Sequence, residues 1–188
     1  DRSELRLLGE HNTANALAAT LAARLAGADA SALAKGLRSA PPLPHRLEPV
    51  AEKDGVLWVN DSKATNVAAA VSAVRSLAGR SLVILLGGKD KGEDLAPLAA
   101  ALAGRVRVAV VYGAAGDRIA AALAGHVRVR REKGSFETVV AAARAEARTG
   151  DVVLLSPACS SYDMFADYQE RGTRFASLAV GTPDGGDR

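Results

Sequence analysis

Five consecutive residues, Leu82-Val83-Ile84-Leu85-Leu86, carry no polar side chain, and Val108 to Val111 repeats the pattern. A strand with one solvated face alternates polar and apolar residues. An unbroken apolar strand needs cover on both faces, which parallel sheets receive from their crossover helices. The rest of the chain fits that demand. The patterning predicts strands over 47–51, 56–60, 82–87, 107–112, 126–130 and 152–155. It predicts helices over 12–26, 29–37, 65–78, 94–103, 115–124, 135–148 and 161–178. Strand–helix alternation of this kind argues for an α/β fold with a mostly parallel Rossmann-like sheet and helices on both faces.

Helix signals support the assignments. Leu17, Leu21 and Leu25 recur every four residues, and Gly27 can end that helix. Asp29 or Ser31 can cap the second helix, and Ser135 the one at 135. The run Ser39-Ala40-Pro41-Pro42-Leu43-Pro44 is a stiff extended connector, because proline fixes φ and restricts the residue before it. A domain boundary is expected there. Residues 1–40 then form a small helical segment, 41–180 the sheet domain, and 181–188 a disordered tail. The chain starts at Asp1 without an initiator Met, which suggests a fragment or a processed piece.

Three polar clusters each follow an apolar run. They are Asn60-Asp61-Ser62-Lys63-Ala64-Thr65-Asn66, Gly87-Gly88-Lys89-Asp90-Lys91-Gly92 and Ser156-Pro157-Ala158-Cys159-Ser160-Ser161. In a parallel sheet all three lie on one edge, where ligands bind beyond the carboxyl ends of the strands. Free N–H groups at a helix start, a lysine and hydroxyls suit an anion. The competing reading of Thr65 is helix capping, and that of 87–92 is a solvated turn. The second cluster is no Walker A loop, because the Gly-x-x-x-x-Gly-Lys-Ser/Thr spacing is absent. The third lacks a Gly-x-Ser-x-Gly elbow and a nearby histidine, so a nucleophilic serine is the weaker idea. Cys159 reads as a buried small hydrophobe. His45-Arg46 either reaches a ligand between two domains or decorates an exposed linker. Arg128, Arg130, Arg131 and Lys133 read as the solvated side of an edge strand, and His126 as structural.

Composition removes other classes. Cys159 is the only cysteine, so an intramolecular disulfide and a cysteine-based zinc site are excluded. No pair of His11, His45 and His126 has metal-ligand spacing, and no metal ligands are assigned. Net charge is +3 and aromatics are 4%, against nucleic-acid binding. No apolar run approaches the roughly 18 residues of a membrane span, and a cytoplasmic location is expected.

These residues resemble a known family. Gly9-Glu10-His11-Asn12 with Asn15, Pro44-His45-Arg46 with Glu48, the 60–66 cluster, Gly87-Gly88 with Lys91, Leu155 to Cys159 through Asp163 and Phe165, and Arg171-Gly172 are similar to the C-terminal part of the Mur ligases, most closely the D-glutamate-adding branch. The resemblance implies ATP-dependent addition of D-glutamate to UDP-N-acetylmuramoyl-L-alanine through an acyl phosphate, in peptidoglycan precursor synthesis. It implies that Lys63, Thr65, Lys91, Ser161 and Tyr168 hold D-glutamate, with Lys63 and Lys91 the catalytic pair. Asn12, Asn15, His45, Arg46 and Asp61 would contact the nucleotide. Residues 1–40 would be the helical end of the central ATPase domain. The N-terminal domain, the rest of the central domain and the Mg2+ ligands would precede Asp1. Two positions depart from the expected pattern: Tyr168 replaces Phe, and Lys89 replaces a variable or acidic residue. Rival readings are another amino-acid-adding ligase, including the folylpolyglutamate type, and a non-catalytic nucleotide-binding module.

Overall fold

The computed structural model describes residues 4, 5, 7 and 9–181. Of the tail expected to be disordered, residues 182–188 lie outside the described residues. The elements run α1 (Glu10–Leu25), α2 (Ala30–Ser39), β1 (Glu48–Lys53), β2 (Val56–Asn60), α3 (Val67–Ser76), β3 (Leu82–Gly87), α4 (Ala96–Leu102), β4 (Val106–Tyr112), α5 (Gly116–Leu123), β5 (Val129–Arg131), α6 (Phe136–Glu146), β6 (Val152–Ala158) and α7 (Tyr168–Val180).

The six strands form one sheet in the order β1-β2-β6-β3-β4-β5. Every pairing is parallel except β1 with β2. Period-two alternation splits the central strands between two cores. Leu82, Ile84 and Leu86 face α3, α4 and α5. Val83 and Leu85 face α6 and α7 together with Trp58, Phe136 and Phe175. All six β3 residues are buried, as an unbroken apolar strand requires. The antiparallel β1 is an edge strand, and there Pro49 costs no ladder hydrogen bond; the register shifts just after it, between Pro49 and Ala51.

Local chemistry sets the helix starts. Asp29 caps α2 by accepting from Ser31 N and Ala32 N. Asn66 caps α3 by accepting from Ala69 N, so the capping role considered for Thr65 belongs to its neighbour. Ser135 stands at the N-cap of α6, as expected, but makes no side-chain cap hydrogen bond. The last helix differs most from expectation: α7 starts at Tyr168, not 161. Residues 161–165 curl into turns, with Met164 N and Phe165 N donating to Ser161 O. Asp167 then accepts from Glu170 N, while Glu170 accepts from Ala166 N. That capping arrangement fixes the start one residue before Tyr168.

Helix α2 buries none of its residues. On α1, Leu17, Leu21 and Leu25 are 67%, 63% and 82% exposed, so the stripe that predicted the helix is uncovered.

Candidate functional site

Strands β2, β6 and β3 are neighbours and parallel, so the three polar clusters leave the sheet side by side. This is the crevice at which an open α/β sheet takes its ligand. The β3 and β6 ends are stitched together beyond the ladder. Lys89 N donates to Ser160 O at 2.8 Å, and Ser160 Oγ donates to Lys89 O at 3.2 Å. This approach requires glycine. A Cβ on Gly87 would lie 2.1 Å from Tyr112 O, and one on Gly88 would lie 2.1 Å from Ser160 O. Both glycines also have positive φ, 152° and 129°.

An open cleft of ≈ 470 Å³ lies between the clusters, lined by Lys63, Thr65, Lys89, Asp90, Lys91, Ser160, Ser161, Tyr162 and Tyr168. All five residues expected to hold the acceptor, Lys63, Thr65, Lys91, Ser161 and Tyr168, line this one space. Lys63 Nζ sits 4.0 Å from the Tyr168 ring centroid, a cation–π contact. Lys91 Nζ donates to Thr65 O at 3.0 Å, tying the second cluster to the first. The single carboxylate in the lining, Asp90, is held by Arg118 Nη1 at 2.8 and 2.9 Å. Three lysines therefore line the cleft, and the one acid that lines it with them is already paired with Arg118.

A smaller cleft of ≈ 160 Å³ is lined by Arg46, Leu47, Asp61, Lys63, Ala64, Ala69, Ser72 and Ala73. Lys63 is common to both clefts. The segment 45–47 is held over β2 in an unusual backbone shape, with positive φ at His45 (63°) and Leu47 (43°). Its hydrogen bonds over-determine it. His45 N donates to Glu48 Oε2, Leu47 N donates to Asp61 Oδ1, and Lys63 N donates to His45 O. The Asn60 amide donates to His45 Nδ1 at 3.0 Å. The His45 ring meets the Tyr168 ring edge-on, with centroids 5.9 Å apart. His45 thus packs behind the wall, while exposed Arg46 reaches the smaller cleft. Asn12 and Asn15 lie on α1 and are not among the residues lining either cleft.

Asp61 is buried, and both its oxygens are engaged: Leu47 N donates to Oδ1, and the Ser156 hydroxyl donates to Oδ2 at 2.8 Å. Burial pushes its pKa up to about 7, against the opposing pull of those hydrogen bonds and of the Arg46 charge. The native carboxyl then keeps its proton in a window where the unfolded chain, near 3.8, has released it. Stability should fall as pH rises from about 5 to 7.5, by at most roughly 2–3 kcal/mol from this group, the earlier part of its loss falling between about 3.8 and 5. Asp29, Asp117, Glu137 and Asp151 are held below their ordinary values, so their contributions are complete before this window opens. Chemical denaturation at pH 5 and 7.5 checks this, with Asp61→Asn expected to flatten the slope. An equal slope in wild type and variant would remove Asp61 as the cause.

Sequence reasoning named Arg171 only as part of the family resemblance and gave it no role at the site. It is fully buried on α7 and bonds to Ser62 and to Cys159 O. Its signal was present, since Arg171, Phe175 and Ala179 form an i, i+4, i+8 stripe on the buried face. Among the described residues no group of three or more His, Cys, Asp or Glu side chains could hold a metal. No helix among them is long and apolar enough to cross a membrane. Cys159 is buried, and burial raises its thiol to about 11, which fits packing rather than nucleophilic work.

The family model described as "Mur ligase, glutamate ligase domain" matches residues 45–159. The chain belongs to the Mur ligase family. Its similarity to curated Mur ligases runs over nearly its whole length. It is 47% identical over 174 residues to the UDP-N-acetylmuramoylalanine–D-glutamate ligase of Methylococcus capsulatus, covering 93% of this chain and 38% of that one. It is 45% identical over 178 residues to the enzyme of the same name from Acidobacterium capsulatum, covering 95% and 38%. The chain therefore spans about two fifths of the length of these relatives. Among solved structures, the fold is similar to the UDP-N-acetylmuramate–alanine ligase MurC of Thermotoga maritima, with a TM-score of 0.67 at 15% identity over 95% of this chain and 40% of that one. It is similar also to a Mycobacterium tuberculosis folylpolyglutamate synthase complexed with ADP and AMPPCP, with a TM-score of 0.63 at 20% identity over 95% and 42%. The Rossmann-like Mur ligase fold expected from the sequence is the fold observed.

Proposed function

We propose that residues 41–180 are the acceptor-binding domain of an ATP-dependent ligase that adds D-glutamate to UDP-N-acetylmuramoyl-L-alanine, in cytoplasmic synthesis of peptidoglycan precursors. The observation that carries this reading is the convergence of Lys63, Thr65, Lys91, Ser161 and Tyr168 on one cleft. Relatives named as D-glutamate ligases support it at 41–47% identity.

D-Glutamate brings two carboxylates and an amine. Lys63 and Lys91 pair with the carboxylates, the Thr65 and Ser161 hydroxyls donate to their remaining lone pairs, and the Tyr168 ring closes one side. The ammonium groups hold the nucleophile at a fixed orientation, which is where a ligation gains most from a binding domain. In the reaction, ATP transfers its terminal phosphoryl group to the alanyl carboxylate, leaving ADP. The amine attacks the acyl carbon, the carbon–oxygen bond to phosphate breaks, and the amide forms as the nitrogen loses a proton. The smaller cleft faces the nucleotide through Arg46 and Asp61, with His45 behind them and Asn12 and Asn15 contributing from α1. A donor set for Mg2+ is not found among the described residues, and no step of the acceptor chemistry here relies on one.

Residues 1–40 are the helical end of the central ATPase domain. The uncovered Leu17, Leu21 and Leu25 stripe supports this, since such a face packs against more of the same protein. The N-terminal and remaining central domains are the partners that complete the enzyme. The 188-residue chain alone is expected to form no amide from UDP-N-acetylmuramoyl-L-alanine, ATP and D-glutamate, as followed by phosphate release and product chromatography. Turnover by the chain alone would overturn this division of labour. An acceptor panel on the full-length protein (D-glutamate, L-glutamate, L-alanine and a folate with L-glutamate) tests the substrate; use of an acceptor other than D-glutamate would replace it.

A further inference from the structure

Arg171 is the largest charged side chain wholly removed from water, with 0% exposure. Taking a guanidinium out of water is costly, and a carboxylate partner ordinarily offsets it. Among the described residues Arg171 has none: no ion pair includes it. Its bonds go instead to neutral groups. Nε donates to Ser62 Oγ at 2.9 Å, Nη2 to Ser62 O at 2.9 Å and Nη1 to Cys159 O at 3.2 Å. Ser62 Oγ passes the link on by donating to Tyr168 O at 2.8 Å.

The positions of these partners matter more than their number. Ser62 immediately precedes Lys63. Cys159 immediately precedes Ser160 and Ser161. Gly88 immediately precedes Lys89, and a Cβ there would lie 3.2 Å from Arg171 Nη1. Tyr168 is one helical turn before Arg171. One side chain thus bonds beside the β2 and β6 segments of the acceptor cleft, lies against Gly88 at the end of β3, and is linked to Tyr168 through Ser62. An apolar side chain could fill the volume but could satisfy none of these oxygens, and a lysine could not reach them in a fork.

We propose that Arg171 is the positioning residue of the acceptor cleft, bracing the β2, β3 and β6 loops from below and adding an unneutralised positive charge that favours a dianionic occupant. The inference rests on the acceptor reading of that cleft. It assigns Arg171 no contact with substrate.

The test is steady-state kinetics of the full-length enzyme with each substrate varied in turn. Arg171→Met keeps the stem and removes charge and fork. It should raise KM for D-glutamate at least tenfold while changing KM for ATP less than threefold. Arg171→Lys restores charge without the fork and should fall between wild type and Arg171→Met. A general structural role would move all KM values together and would not rank the two variants by charge. Ser62→Ala keeps Arg171 but removes one acceptor, and it carries the test if Arg171→Met fails to fold. It should raise KM for D-glutamate about threefold with the ATP value unchanged. The proposal is overturned if KM for D-glutamate stays within twofold of wild type in the folded variants, or if the ATP value rises equally. If wild type instead uses another amino acid, the D-glutamate reading fails separately, and the same ranking is read with that acceptor.

Discussion

Replacing Gly88 by alanine is expected to destabilise the chain by about 4 kcal/mol or more, at the extreme end of single substitutions. The new Cβ would lie 2.1 Å from Ser160 O, a backbone atom that cannot swing aside, and 3.2 Å from both Cys159 Cβ and Arg171 Nη1. The backbone there has φ 129°, which L side chains rarely adopt. Relief requires β3 and β6 to part where Lys89 N bonds Ser160 O, so the acceptor cleft should open along with the core. Urea denaturation of the chain measures this through the midpoint at constant slope. A loss below 1 kcal/mol would mean that the two strand ends are not held as described.

Lys91→Ala in the full-length ligase is expected to raise KM for D-glutamate more than tenfold, which corresponds to about 1.4 kcal/mol or more of lost binding. Two effects add. The ammonium itself is lost from a cleft whose only lining acid is already paired with Arg118. The Nζ bond to Thr65 O also disappears, releasing the second cluster from the first. Because the missing interaction is with the acceptor, the ATP value should change little. An unchanged D-glutamate KM would take Lys91 out of the site.

What the sequence made legible follows from periodicity. Runs such as Leu82–Leu86 admit one structural answer, and their polar followers then have to fall at strand ends. That is why Lys63, Lys91 and Ser161, far apart in the chain, could be grouped before any coordinates. The boundary of α7 was less legible, since Ser161 to Phe165 has the composition of a helix start. The decision was made by Asp167 and Glu170, whose capping bonds beat the earlier alternative. Asp61 illustrates a second limit. Its place in the polar cluster was plain, but its inward turn onto Ser156 and Leu47 depends on residues distant in sequence. Arg171 illustrates a third: charge suggests solvent, while its place on the apolar stripe with Phe175 and Ala179 suggests burial, and the stripe won.

The position of β6 has a consequence for how this molecule assembles. It is the last strand in sequence, yet it lies between β2 and β3. During synthesis, β1 and β2 can form a hairpin, β3, β4 and β5 can form a parallel set, and α3 can pack on α4, but no strand pairing joins the two sets until residues 152–158 have emerged. Until then each half carries an unpaired inner edge, a surface prone to mispairing with other chains. Such long-range closure is slow, because the loop entropy must be spent before the contacts reward it. The strand that closes the sheet also carries Ser160 to Lys89, and Cys159 to the place where Arg171 of the following helix meets it, so the cleft between the three loops cannot exist before the sheet is closed.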